Sequence, residues 1–169
     1  MLGASSHVGV RTAQRSDADA LVNVFDESWR HAYAGIIPHL HLDLMIRRRT
    51  ANWWRRVIAA GEAVTVLELD GKIVGYATHG PARHRGKYEG EIYELYLEPV
   101  HQGLGFGELL FESCRYALDQ RSLNGLIVWA LTENTSAVDF YWRRGGRPIA
   151  NTIDRIGRAR LEKVALAWN

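Results

Sequence analysis

Cysteine occurs once in the 169 residues, at Cys114, which excludes an intrachain disulfide and a cysteine-rich zinc site. Proline is also scarce. Pro38, Pro81, Pro99 and Pro148 stand apart from one another, so no proline-rich linker divides the chain. No apolar run approaches the roughly 18 residues that a membrane helix needs. The start, Met1 to Val10, shows neither a charged n-region nor an apolar h-region, so no secretory signal is read there. An excess of one charge sign is missing too: 21 basic against 19 acidic side chains leave a net +2. That is too small to mark a nucleic-acid binder. The expectation is a cytoplasmic protein with no membrane and no nucleic-acid partner.

What is present is an ordinary globular balance, 47% hydrophobic and 24% charged. The length suits one domain over 1–169, with residues 1–7 and the loop 80–90 as its loosest stretches. A strand fits 9–13. Ser16 or Asp17 then caps a helix to about Arg30, with Leu21, Val24, Phe25, Trp29 and Ala32 on one stripe. Pro38 opens a second helical region, interrupted near Leu44, resumed at Arg47 and stopped by Gly61. Strands at 63–69 and 72–79 flank Asp70-Gly71, a strong hairpin signal. A strand at 91–97, a helix at 105–120, a strand at 126–131 and a helix at 134–144 come next. Strands near 148–155 and 160–168 complete the pattern. The fold class is α/β: a mixed, mostly antiparallel sheet of six to seven strands flanked by helices, in the order β-α-α-β-β-β-α-β-α-β-β. The strands at 91–97 and 126–131 are joined through a helix and should run parallel.

The run Gln102-Gly103-Leu104-Gly105-Phe106-Gly107 carries the chemistry. A strand ends, three alternate glycines follow, and an amphipathic helix begins. Glycine lets backbone approach a ligand, and a helix start offers unpaired N–H donors with partial positive charge. That combination cradles a diphosphate; the alternative is a glycine-rich turn that binds nothing. Two other phosphate loops are excluded. A Walker loop ends in Gly-Lys-Ser/Thr, whereas Gly107 is followed by Glu108. A dinucleotide fingerprint places its third glycine one position later.

Gln102-x-x-Gly105-x-Gly107 resembles the Q/R-x-x-G-x-G/A acyl-CoA loop of the GNAT N-acetyltransferase superfamily. The strand Glu91 to Pro99, the segment Asn134 to Tyr141 before Gly145-Gly146, and the segment Trp29 to Pro38 are similar to that family's corresponding elements. The resemblance covers nearly the whole chain. It implies a GNAT-like domain that uses acetyl-CoA and no metal to acetylate a primary amine directly in a ternary complex. It implies that backbone N–H groups from Gln102 through Gly103, Leu104, Gly105 and Phe106 to Gly107 hold the diphosphate. Pantetheine would lie along Leu95, Tyr96 and Leu97, with the Leu97 N–H facing the thioester carbonyl. Asn134 and Ala137 would contact the pantetheine arm, and Tyr141 would protonate the leaving thiolate. Asn134 also reads as a helix N-cap, and Tyr141 as a core aromatic beside Phe140.

Removing the amine's proton calls for a base. Glu91 stands where many members carry a catalytic glutamate. Glu94 lies on the same strand, on the opposite face unless a bulge intervenes, and Glu91 is preferred. Some members use no protein base. Trp29 and Tyr33, with the loop 80–90, are candidates for the acceptor wall, although Trp29 fits the core stripe equally well. Arg47-Arg48-Arg49 and Arg55-Arg56 read as a solvated helix face, His39 and His41 lack metal-binding partners, and Cys114 reads as core. The acceptor is a small-molecule or protein amine. A homodimer follows by analogy only. A non-catalytic acyl-CoA sensor on the same fold is the alternative function.

Overall fold

The Asp70-Gly71 hairpin sets the first register. Both residues have positive φ, 51° and 80°, which suits the twist of a two-residue turn between Leu69 and Lys72. The computed structural model describes residues 6–169. The loose start expected over 1–7 falls largely on residues 1–5, outside the described residues. Strands β1 (Val8–Thr12), β2 (Val64–Leu69), β3 (Lys72–Pro81), β4 (Gly90–Leu97), β5 (Leu126–Leu131), β6 (Arg147–Ile156) and β7 (Ala159–Trp168) form one sheet in the order β1-β2-β3-β4-β5-β7-β6. Every neighbouring pair is antiparallel except β4–β5, which is parallel. The α/β class and the mostly antiparallel sheet expected from the sequence are what the chain adopts.

Helices α1 (Ala18–Tyr33), α2 (His39–Arg48) and α3 (Ala51–Ala59) cover one face. There Phe25, Trp54 and Tyr76 meet in the core, with the Trp54 ring edge-on to Tyr76 at 5.2 Å. Helix α4 (Phe106–Gln120) covers the other face through Leu110, Phe111, Cys114 and Leu118, and α5 (Thr135–Arg143) packs beside it. The α1 stripe holds, but Asp17 does not cap the helix. Its carboxylate takes the Gln14 N–H at 2.7 Å and the Arg11 guanidinium at 2.8 Å, within a short 3₁₀ turn. The second helical region breaks at Arg49-Thr50 rather than at Leu44. Thr50 accepts the Trp53 N–H at 3.1 Å and starts a new helix, so the sequence-derived order merged two helices into one.

Two details of β4 shape the space beside it. Its register against β3 slips: Thr78 faces Glu94 and His79 faces Ile92, leaving Tyr93 as an extra residue. This bulge resets the alternation of faces. Ile92, Leu95 and Leu97 point to α4, while Tyr96 joins the α1 side. Glu91 and Glu94, expected on opposite faces, therefore share the α1 face. Second, β4 pairs with β5 only at Gly90–Leu126 and Glu91–Ile127. Beyond those two pairs the parallel strands part.

Candidate active site

The parted strands leave a gap whose β4 edge is polar. Glu98 donates its N–H to Val74 O at 2.8 Å. Antiparallel bonding alternates, so Tyr96 shares that orientation toward β3, and the amides of Leu95 and Leu97 point into the gap. The Leu97 carbonyl accepts from the Gln102 side-chain amide at 3.3 Å, which ties the strand end to the glycine loop. Gly103 and Gly105 have φ of 75° and 85°, a region that side chains rarely adopt. Gly105 then opens α4, so the helix's first N–H groups face the same gap. A Cβ on Gly107 would lie 2.9 Å from the Phe140 ring. The α4 start and α5 thus approach as closely as they do because this residue has no side chain.

A cavity of about 540 Å³ fills the gap. Leu95, Tyr96 and Leu97 form one wall; Gln102, Gly103, Gly105 and Gly107 form one end; Asn134, Ala137, Phe140 and Tyr141 form the opposite wall. The structure brings these sequence-predicted residues together around one space. Gly145, with φ of 94°, and Gly146 let the chain leave α5 beneath Trp168, where a Cβ on Gly146 would meet the indole at 2.6 Å. Asn134 caps α5 by accepting the Ala137 N–H at 3.3 Å, and it lines the cavity as well.

Tyr141 is 6% exposed. Burial, then the nearby Tyr33 and Cys114, raise its pKa well above that of a free tyrosine, so the phenol keeps its proton at neutral pH. The Tyr33 and Tyr96 hydroxyls are hydrogen-bonded to each other. Burial raises both of their pKa values as well. The Cys114 thiol, buried in α4, is pushed up to about 12, which leaves almost no thiolate at neutral pH.

Other predicted residues lie off the cavity wall. Glu91 is 1% exposed and accepts from Arg83 through its backbone N–H and Nε, both at 3.0 Å. Glu94 is paired with Arg49 at 3.1 and 2.8 Å, and that guanidinium lies 4.0 Å over Trp53. Trp29 stacks on Phe25 at 4.6 Å and donates to the Tyr76 hydroxyl at 3.2 Å. Tyr33 is buried behind Tyr96, and Leu104 and Phe106 also stand outside the lining. Strand β3 runs to Pro81, so the proposed acceptor loop shortens to residues 82–89.

Several lining residues were given no role from the sequence: Ser28, Glu133, and Arg143 with Arg144 after Tyr141, while His31 and Ile36 lie within the Trp29–Pro38 segment that resembles the family. For Arg144 a cue existed, since a basic residue closing a helix complements its C-terminal carbonyls. Among the described residues, no three His, Cys, Asp or Glu side chains group closely enough to hold a metal ion. No helix among them is long and apolar enough to cross a membrane.

The crystal structure of PaiA N-acetyltransferase from Thermoplasma acidophilum, in complex with coenzyme A, matches this fold with a TM-score of 0.74. The two share 18% identity over 93% of this chain and 98% of that one. The structure of yncA from Salmonella typhimurium with its cofactor acetyl-CoA matches at 0.67, with 20% identity over 95% of this chain and 92% of that one. In sequence, the uncharacterized N-acetyltransferase YuaI of Bacillus subtilis is 30% identical over 162 residues, 95% of this chain and 92% of its own. The model of the acetyltransferase (GNAT) family matches residues 20–145, which include the glycine loop, the parted strands and Tyr141. With that loop, gap and tyrosine gathered on one cavity, the chain belongs to the acetyltransferase (GNAT) family.

Proposed function

We propose that this N-acetyltransferase holds acetyl-CoA in the β4–β5 gap and passes the acetyl group directly to a primary amine bound beside it. The carrying observation is the parting of β4 from β5 after two residue pairs, with a glycine-lined helix start at one end and a protonated tyrosine in the wall. When bound, acetyl-CoA supplies an activated thioester carbonyl. The residues present fit such a ligand. The loop backbone at Gly103, Gly105 and Gly107 and the α4 N-terminus offer donors to a diphosphate, whereas the Gln102 N–H is already taken by the Pro99 carbonyl at 3.2 Å. The Leu95 and Leu97 amides offer strand-like hydrogen bonds to a pantetheine arm, and the Leu97 N–H stabilises the oxyanion as charge develops. Asn134 and Ala137 line the arm. Tyr141 gives its proton to the departing thiolate.

The acceptor's proton needs its own route. Neither Glu91 nor Glu94 lines the cavity, and each has its oxygens engaged by an arginine. A path through water fits this arrangement better than direct abstraction by either carboxylate. Glu91→Gln decides the point through the pH profile of kcat/KM. An unchanged profile is the expected result; a loss confined to neutral pH would make Glu91 the base. Acetyl-CoA is a cytoplasmic metabolite, and we place the protein there.

A panel of amines covering polyamines, amino acids, aminoglycoside-type amines and peptide amino groups, with acetyl-CoA as donor and free-thiol release as readout, tests the function. Turnover on at least one acceptor is expected. Tight CoA binding with no turnover across the panel would instead mark a sensor.

A further inference from the structure

Arg144 lies in the cavity wall with its charge poorly compensated. The side chain is 19% exposed. Its guanidinium carbon lies over the Phe140 ring, 3.7 Å from the centroid, and one terminal nitrogen donates to the Phe140 carbonyl at 2.9 Å. The other terminal nitrogen reaches Glu108 only at 3.6 Å. Its Nε–H is buried and has no partner. A desolvated cation with one long ion pair and an unused donor is costly unless an anion completes its shell.

The backbone around Arg144 is fixed. Its carbonyl accepts the Trp168 indole N–H at 2.9 Å, and Phe140 beneath the guanidinium packs on Gly107. Glu108 is the residue next to Gly107 in the first turn of α4. The guanidinium is therefore held beside the same helix start that closes the glycine loop. Glu108 is 62% exposed and lines the same cavity. A carboxylate there repels any phosphate that approaches the loop.

We propose that Arg144 is a diphosphate-binding residue of this protein and that Glu108 is its exchangeable counter-ion. The guanidinium leaves Glu108 for the ligand's phosphate oxygens, while its stacking on Phe140 keeps the fork aimed at the loop. The inference rests on the acetyl-CoA reading and extends it to a residue of α5's end.

Calorimetric titration of wild type, Arg144→Gln, Arg144→Lys and Glu108→Gln with CoA, dephospho-CoA and pantetheine tests it. Pantetheine is carried to millimolar concentration, and melting temperatures check each fold. Arg144→Gln should weaken CoA and dephospho-CoA about tenfold and leave pantetheine unchanged. Arg144→Lys should recover only part of that loss, because an ammonium has no planar fork. Glu108→Gln should tighten CoA about twofold or more. The opposite signs at 108 and 144 are what a merely structural contact would not produce. Equal weakening of pantetheine, or no weakening of CoA, overturns the inference. A loss with CoA but not dephospho-CoA overturns it in favour of the 3′-phosphate. Wild-type protein that does not bind CoA overturns the acetyl-CoA reading and this inference together.

Discussion

Strand β4 has two edges with opposite fates. Toward β3 it keeps seven residue pairs with one bulge; toward β5 it keeps two. The same eight residues thus complete a sheet on one side and offer bare amides on the other. A backbone N–H left unpaired inside a fold is costly, so an edge like this persists where a ligand's own polar groups complete it. The closed edge supplies rigidity, and the open edge supplies hydrogen-bonding capacity at fixed positions. Leu97 belongs to both. A Cβ on Gly75 in β3 would collide with one of its methyls, and a Cβ on Gly107 in α4 would touch the other at 3.6 Å.

Substitutions on the two sides should separate stability from function. The largest effect belongs to the core that packs on β3, the strand closing the first edge. Trp54→Ala empties a fully buried site against Phe25 and Tyr76 and should cost about 3–5 kcal/mol in a urea titration. On the open side, Tyr141→Phe should lower kcat about a hundredfold with little change in melting temperature. A kcat that stays within twofold would remove the acid role. The two glycines sharpen the contrast. Gly75→Val should cost about 1–3 kcal/mol of stability by overpacking the β3–β4 ladder. Gly107→Val should displace Phe140 and weaken CoA binding about tenfold while lowering the melting temperature less. If both variants shift stability alike, the open edge is as structural as the closed one.

The smallest effect is a pH dependence. His79 is buried on β3, and burial lowers its pKa below the free value. The unfolded chain therefore binds a proton more readily than the folded one. This contribution to stability is complete above about pH 6.5 and is lost as pH falls through the lowered folded value. His79→Gln should flatten the decline in melting temperature between pH 7 and pH 5. Asp17, held below the usual carboxylate range by Arg11, adds a loss of the same sign in more acidic solution.

The parts of this comparison that are local in sequence were legible there. Gln102 to Gly107 spells a helix start with freed amides, and Asn134 and Tyr141 share a face because seven residues make two helical turns. Thr50 was legible but overlooked: a threonine three residues before an amide it can cap is an ordinary helix start. No local pattern showed the gap, the Tyr93 bulge or the arginine partners of Glu91 and Glu94; only the family resemblance implied parted strands there. Whether β4 and β5 pair for two residues or six depends on packing from both faces, which no local pattern encodes. Arg49 meets Glu94 across 45 positions, so nothing in the strand itself marks Glu94 as engaged. The bulge put both glutamates on one face, and alternation alone predicted the reverse.

A crystal structure with bound acetyl-CoA tests the central claim most directly. The account predicts the diphosphate against the amides of residues 103–107 and the thioester carbonyl on the Leu97 N–H, with pantetheine lying between β4 and β5. Acetyl-CoA found on another surface, with those amides facing only solvent, would contradict it.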